Sequence, residues 1–176
     1  LQDDAALALP GAKDTFRPIT AEQLALRPMP AWTPPKVAGA IEGEDMRIIK
    51  KAGTLEKQGW CDLSDGMHLW WHGSKRNDDI ILGFDVPKAG KYEVIGRFMK
   101  ASDYGKVQIT INGAKPGQPI DFYNNGVTPS PEISLGAFEL KQGENQIAIA
   151  IVGENDHASH GYMFGLDYLL LHCVSP

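Results

Sequence analysis

Three carboxylates, Glu42, Glu44 and Asp167, are the residues of this 176-residue chain that could build a cation site. If residues 41–49 form a strand, Glu42 and Glu44 point to the same side, because side chains alternate along a strand. Carboxylates that share a partly buried site need a cation between them, and a ligand set made only of oxygens favours Ca²⁺ over zinc or copper. The alternative is that both glutamates are solvated and that Asp167 accepts hydrogen bonds from the backbone or from Arg97. Spacing alone leaves both interpretations open.

Aromatic side chains in loop-like stretches form a second candidate site. A sugar ring presents an apolar C–H face that stacks on an exposed aromatic ring, while polar groups at the rim bond its hydroxyls. Trp70 and Trp71 are neighbours, so on a strand one faces the core and the other faces out; which of them is exposed stays open. Core packing is the alternative for each aromatic residue taken singly. The candidate ligand-binding residues are Trp60, Trp71, Tyr104, Tyr123, Asn155 and Tyr162, with Asp103, Asn124, Asn125 and Asp156 as further rim residues.

The histidines and cysteines give no comparable signal. His68 and His72 would lie roughly 13 Å apart on a strand, too far for one metal ion, and the loop pair His157 and His160 has no evident third ligand. No phosphate loop, nucleophile elbow or zinc-protease motif is present, so no catalytic residue is predicted. Cys61 and Cys173 are either one disulfide bridge or two separate thiols.

The elements that would position these residues are strands. Apolar residues alternate along successive short segments, and Gly- and Pro-containing turns such as Asn112-Gly113 separate them. The pattern predicts an all-β protein, a β-sandwich or jelly roll. The last apolar run is predicted to be the final strand. One face carries Phe164, Leu166, Tyr168 and Leu170, and the other carries Met163, Leu169 and Leu171. The first and last strands of a sandwich often lie side by side, which would bring Glu42 and Glu44 to Asp167.

Composition divides the chain into two parts. Residues 1–40 are rich in proline and are predicted to be a linker or a surface-packed extension, and residues 41–176 are predicted to form the sandwich domain. A net charge of −5 argues against nucleic acid, and no apolar run is long enough to span a bilayer. The proline-rich lead-in suggests a piece of a larger protein.

Three segments in order resemble one known family. They are Glu42-x-Glu44, Val86-Pro-Lys-Ala-Gly-Lys-Tyr-Glu-Val94 and Gly165-Leu-Asp167-Tyr-Leu169, and they are similar to carbohydrate-binding modules with a galactose-binding-like jelly roll, families 6 and 35. The resemblance covers about residues 41–172. It implies that Glu42, Glu44 and Asp167 are ligands of a structural calcium ion. The chain departs from the pattern at Gly165, where related modules commonly carry an asparagine that contacts the sugar.

These observations give three hypotheses about function. The first is a non-catalytic, secreted carbohydrate-binding module that binds a polysaccharide or oligosaccharide and follows a catalytic domain in a polysaccharide-degrading protein. The second is a structural β-sandwich that packs on a glycoside hydrolase or mediates oligomerisation without binding sugar, which Gly165 and the proline-rich segment favour. The third is a free-standing enzyme, for which no pair of residues stands out.

Overall fold

The computed structural model describes residues 34–115 and 117–174, so the predicted extension over residues 1–40 lies outside the described residues except for 34–40. Two 3₁₀ turns, Gly43–Asp45 and Ser64–Gly66, interrupt an otherwise β chain. None of the helices in this described part could cross a membrane. The strands are β1 (Ile41–Glu42), β2 (Arg47–Lys50), β3 (Thr54–Gly59), β4 (Met67–His72), β5 (Asp79–Val86), β6 (Gly90–Lys100), β7 (Gly105–Ile111), β8 (Ile120–Asp121), β9 (Thr128–Pro129), β10 (Ile133–Leu140), β11 (Gly143–Glu154) and β12 (Phe164–Cys173).

The strands form two antiparallel sheets. The first has the order β10-β6-β12-β4-β3, with β1 paired to β12 and β9 paired to β6. The second has the order β2-β5-β11-β7-β8. The fold is an all-β sandwich of the jelly-roll type, which confirms the predicted class.

The alternating apolar side chains supply the core between the sheets. On β5, for example, Ile80, Leu82, Phe84 and Val86 are all buried, as their period of two predicts. Three buried phenyl rings pack together. The distance between ring centroids is 5.1 Å for Phe98 and Phe122 and 5.5 Å for Phe122 and Phe164. Removing any one of such rings costs about 3–5 kcal/mol, so this cluster is a main source of stability.

A β-bulge at Asp167 changes the predicted faces of the last strand. Leu166 pairs with Phe98 and Tyr168 pairs with Arg97, which leaves Asp167 as the extra residue. The core side chains are therefore Phe164 and Leu166 before the bulge and Leu169 and Leu171 after it. The prediction that Tyr168 and Leu170 share the face of Phe164 and Leu166 was wrong, because the inserted residue reverses the alternation.

The single strand over residues 41–49, on which the shared side of Glu42 and Glu44 depended, does not form. The turn Gly43–Asp45 breaks it, so that β1 pairs with β12 in the first sheet and β2 pairs with β5 in the second. Gly43 lies so close to Leu166 that a Cβ there would be 2.3 Å from the Leu166 carbonyl oxygen. The prediction that the first and last strands lie side by side is confirmed, since Glu42 pairs with Tyr168.

Candidate functional site

Asp167 is fully buried, and donors from two elements satisfy its carboxylate. The backbone amide of Ser64 donates to Oδ1 at 3.1 Å, and Nη1 of Arg97 donates to Oδ2 at 3.1 Å. Arg97 also donates to the carbonyl of Asp62 at 2.7 Å. Asp167 therefore has the backbone and arginine partners of the calcium-free alternative.

Glu42 reaches the same place from β1. Its side chain is only 1% exposed, and its Oε1 accepts a hydrogen bond from the Ser64 hydroxyl at 2.8 Å. The ammonium of Lys36 lies 3.5 Å from the same oxygen. Ser64 thus connects Glu42 with Asp167, through its hydroxyl on one side and its amide on the other. The alternative of a solvated Glu42 is therefore contradicted.

The fit of this cluster to a calcium ion is partial. Oε2 of Glu42 and Oε2 of Glu44 are both buried without a hydrogen-bond partner, which is the condition that a cation relieves. Both oxygens of Asp167, in contrast, already have donors. Within residues 34–115 and 117–174, no group of three or more His, Cys, Asp or Glu side chains has the spacing of a metal site. The two glutamates have buried oxygens that are free for a cation, whereas Asp167 already has a positive partner in Arg97.

Burial controls the protonation of these acids. Burial raises the pKa of Asp167 from 3.8 to about 7, although Arg97 and the Ser64 amide act in the opposite direction. Burial also raises the pKa of Glu44, and the negative charge of Glu42 adds to that rise. Both shifts favour the protonated, neutral form of Asp167 and Glu44.

The aromatic candidates divide into buried and accessible ones. Trp71 is fully buried, with its indole N–H donating to the Ala52 carbonyl at 2.6 Å, and Tyr104 is 4% exposed. Neither ring is available for stacking, so both were wrong as ligand-binding residues. Trp70 is the outward member of its pair, and its ring stacks on His72 at a centroid distance of 4.0 Å. Trp60 is 38% exposed, on the loop that carries Ser64.

Tyr123 and Asn155 are brought together at one end of the sandwich. Nδ2 of Asn155 donates a hydrogen bond to Oδ2 of Asp121 at 2.8 Å, and its Oδ1 accepts a hydrogen bond from the backbone amide of His157 at 3.0 Å. The ring centroid of His157 lies 6.3 Å from that of Tyr123. We call Asp121, Tyr123, Asn155 and His157 the loop rim. Its residues come from the end of β8 with the loop that follows it and from the loop after β11, and hydrogen bonds between these segments hold them in place.

Tyr162 belongs to a separate group on the same loop. Its hydroxyl donates to Oε1 of Glu154 at 3.1 Å, and Nδ1 of His160 lies 2.7 Å from the same oxygen. Glu154 was not predicted as a site residue. Its position as a polar residue at the end of the alternating strand β11 is a signal that could have indicated it. The other predicted rim residues Asp103 and Asn124 are partly exposed, and Asn125 and Asp156 are exposed.

The cysteines are not bonded to one another. Cys61 and Cys173 are both free and exposed, so the structure has two separate thiols.

Comparison with known proteins identifies the fold. No protein-family model matches the chain, and no curated protein matches it. Among solved structures, Paenibacillus xanthan lyase is 25% identical, with a TM-score of 0.70 over 80% of this chain and 14% of that chain. The GH26-CBM35 β-(1,4)-mannanase of Podospora anserina is 19% identical, with a TM-score of 0.50 over 78% of this chain and 28% of that one. A family 35 carbohydrate-binding module from an environmental isolate is 13% identical, with a TM-score of 0.50 over 75% of this chain and 90% of that one.

The chain resembles carbohydrate-binding modules of the jelly-roll type. It spans only a small part of the two enzymes, 14% and 28% of their lengths. The module from the environmental isolate, in contrast, is covered almost completely.

Gly165 stands where the resemblance to carbohydrate-binding modules implies an asparagine. Neighbouring side chains occupy the space that a side chain at this position would need. A Cβ there would lie 2.8 Å from Cβ of Met99 and 2.9 Å from Cδ2 of His68. An asparagine would therefore not fit at this position without movement of the neighbours.

His68 lies beside Gly165, and its complete burial was not predicted from the sequence. It is fully buried, and neither ring nitrogen has a hydrogen-bond partner among the described residues. Burial lowers its pKa from 6.5 to about 4, while the nearby backbone of Gln58 acts weakly in the opposite direction. The ring is therefore neutral at pH 7, and it occupies the space beside Gly165 as a packing group.

Proposed function

We propose that this chain is a non-catalytic carbohydrate-binding module that binds a polysaccharide or oligosaccharide at the loop rim. The observation that carries the proposal is the rim itself: a partly exposed Tyr123 ring beside polar groups at one end of a jelly roll. The similarity to a family 35 carbohydrate-binding module supports it at the level of the fold.

The rim has the two components that sugar recognition needs. The ring of Tyr123 offers a face for the C–H side of a pyranose, and Asp121 and Asn155 offer acceptors and donors for its hydroxyls. Because Asn155 is fixed by Asp121 and by the His157 amide, little side-chain entropy is lost when a ligand binds.

The larger protein is the second part of the proposal. The matched region makes up 14% of a xanthan lyase and 28% of a mannanase, which supports a role as the accessory part of a polysaccharide-degrading enzyme. The expected partner is a catalytic domain upstream, and the expected location is outside the cytoplasm: secreted, periplasmic or at the cell surface.

A structural calcium ion is the third part. Glu42 and Glu44 would hold it through the two buried oxygens that have no other partner. The ion would supply positive charge to the place where β1 leaves the first sheet. Asp167 is outside the proposed ligand set, because Arg97 already supplies its positive counter-charge.

Titration calorimetry of the full chain against a panel of soluble glycans tests the sugar-binding function. We expect Tyr123→Ala to weaken binding at least about tenfold, as the loss of a stacked ring does. Tyr92→Ala is the matched control, because Tyr92 is also partly exposed. It lies near the start of β6, whereas Tyr123 bridges Ala101 just after the end of that strand. Absence of binding to every glycan, or equal affinity of the two variants, would refute the proposal.

A purely structural module is the second candidate. The burial of Trp71 and Tyr104 and the filled position at Gly165 favour it, since each removes a group that a sugar could contact. Its distinguishing result is a folded chain that binds no glycan.

A further inference from the structure

Glu154 carries two donors on one carboxylate oxygen and none on the other. Oε1 accepts from Tyr162 at 3.1 Å and lies 2.7 Å from Nδ1 of His160. Oε2 is buried and has no partner among the described residues. An ionised carboxylate can accept about four hydrogen bonds, so this oxygen has unused capacity.

Both residues that face Glu154 have a strained backbone. His160 has φ of 57° and Tyr162 has φ of 49°, a left-handed conformation that costs a non-glycine residue on the order of 1 kcal/mol. Such strain persists only where the surroundings impose it, and it is concentrated at functional sites.

The surroundings of this loop do impose it. The amides of Ser159 and Met163 donate to the carbonyls of Ser102 and Asp103 at 2.8 and 3.0 Å. Gly161 is pressed against Asp103, where a Cβ would lie 2.6 Å from two of its atoms. The Ser74 hydroxyl donates to the Tyr162 carbonyl at 2.6 Å. Contacts from two other segments thus hold Tyr162 and His160 against Glu154.

The exposure of the group indicates how a ligand would enter. The His160 side chain is 80% exposed, whereas that of Glu154 is 20% exposed. The imidazole is the outermost part and can rotate into solvent. The ring of Tyr162 packs partly against the core and stays in place. Burial and the bond to Glu154 raise the pKa of Tyr162, so its hydroxyl remains a donor.

We propose that Glu154 and Tyr162 form a second subsite, which binds the hydroxyl groups of a neutral sugar residue after the ring of His160 moves aside. The inference rests on the proposed function, since Glu154 is adjacent in sequence to Asn155 of the loop rim, and one glycan would contact both. A carboxylate accepts hydroxyl donors and repels a second carboxylate. Arg76 acts on Tyr162 more weakly than Glu154 does, so the carboxylate dominates and the subsite selects neutral glycans over uronic-acid glycans.

Calorimetry on the full chain tests the subsite with tetrasaccharides of glucose, mannose, galactose and xylose, and with tetragalacturonate. We expect Glu154→Gln to weaken binding of the neutral ligand about tenfold or more and to reduce discrimination against the uronate. His160→Ala should bind the neutral ligand at least as tightly as the unmodified chain. Glu139→Gln, an exposed glutamate on β10, is the control and should change nothing.

The outcomes separate the two proposals. No binding by the unmodified chain refutes the proposed function and the subsite with it. Binding that Tyr123→Ala abolishes and Glu154→Gln leaves unchanged refutes the subsite alone. Weaker binding by His160→Ala also refutes it, and that variant keeps the test valid if Glu154→Gln does not fold.

Discussion

Oδ2 of Asp167 lies 3.1 Å from Nη1 of Arg97, and the bulge in β12 produces this pair. Because Asp167 is the residue without a partner in the strand register, its side chain is free to meet Arg97 and the Ser64 amide. Arg97 in turn bonds the carbonyl of Asp62. One ion pair thus connects the last strand, β6 and the loop that carries Ser64.

Well above pH 7, where Asp167 is ionised, Arg97→Met should destabilise the protein by about 3–5 kcal/mol, because it leaves a buried carboxylate without its counter-charge. Urea unfolding measures the effect. Arg47→Met is the matched control: Arg47 pairs with Glu144 at the surface, where both side chains are about half exposed, and its loss should cost less than about 1 kcal/mol. Equal effects of the two substitutions would show that the Asp167 pair does not stabilise the fold.

The carboxyl of Asp167 should titrate near pH 7 in chelator-treated protein, because burial raises its pKa to about 7. An acid with a raised pKa in the folded state takes up a proton on folding. Its contribution to stability is present below the unfolded value of 3.8 and is lost as the pH rises through about 7. The stability of the unmodified chain relative to Asp167→Asn should therefore fall between pH 4 and 7. Carbon NMR of the carboxyl group measures the pKa, and titration near 4 would contradict this prediction.

His68 should have the opposite pH dependence. Its pKa is lowered from 6.5 to about 4, so the stability it contributes is present above 6.5 and is lost as the pH falls toward 4. The lost stability amounts to about 3 kcal/mol. His68→Leu removes two unpaired ring nitrogens from a buried site, so it should be at least as stable as the unmodified chain at pH 7 and less sensitive to acid. Thermal unfolding at pH 7 and pH 4 checks this. If both forms lose the same stability in acid, the neutral buried ring is not the cause.

Calcium should raise the melting temperature by several degrees when it is in large excess over its dissociation constant, since it binds the folded form only. Glu44→Gln should abolish the increase, because Oε2 of Glu44 is one of the two unpaired oxygens. Asp45→Asn is the control: Asp45 is exposed and pairs with Lys57 at 2.6 Å. Scanning calorimetry in calcium and in chelator measures the difference, and identical curves would refute the ion site.

The β-sandwich was predictable because the alternation of apolar residues that indicates a strand can be read from each short segment of the chain by itself. The bulge at Asp167 was not, because it depends on the register between β12 and β6. The break of the first strand likewise follows from a partner, since Gly43 lies against Leu166. These two irregularities determine where the acids point. The backbone and Arg97 were predictable as possible donors to Asp167, but the bond from the Ser64 hydroxyl to Glu42 was not.

The choice of aromatic residues was predictable only in part. Leu69 and Trp71 are two residues apart on β4 and both face the core, and this spacing is a signal that could have assigned Trp71 to the interior. Tyr104 gives no such signal, because its burial comes from a bridge to Met163 in a distant loop. Tyr123 and Asn155 were named from their loops, but their association through Asp121 and His157 required the tertiary structure.

Chemical-shift mapping by ¹⁵N–¹H NMR, during titration with the glycan that binds best, tests sugar binding at the loop rim most directly. We expect the amides of Asp121, Tyr123, Asn155 and His157 to shift together and to saturate with a single dissociation constant. Unchanged spectra for every glycan, or shifts confined to the outer face of β4 around Trp70, would contradict sugar binding at the rim.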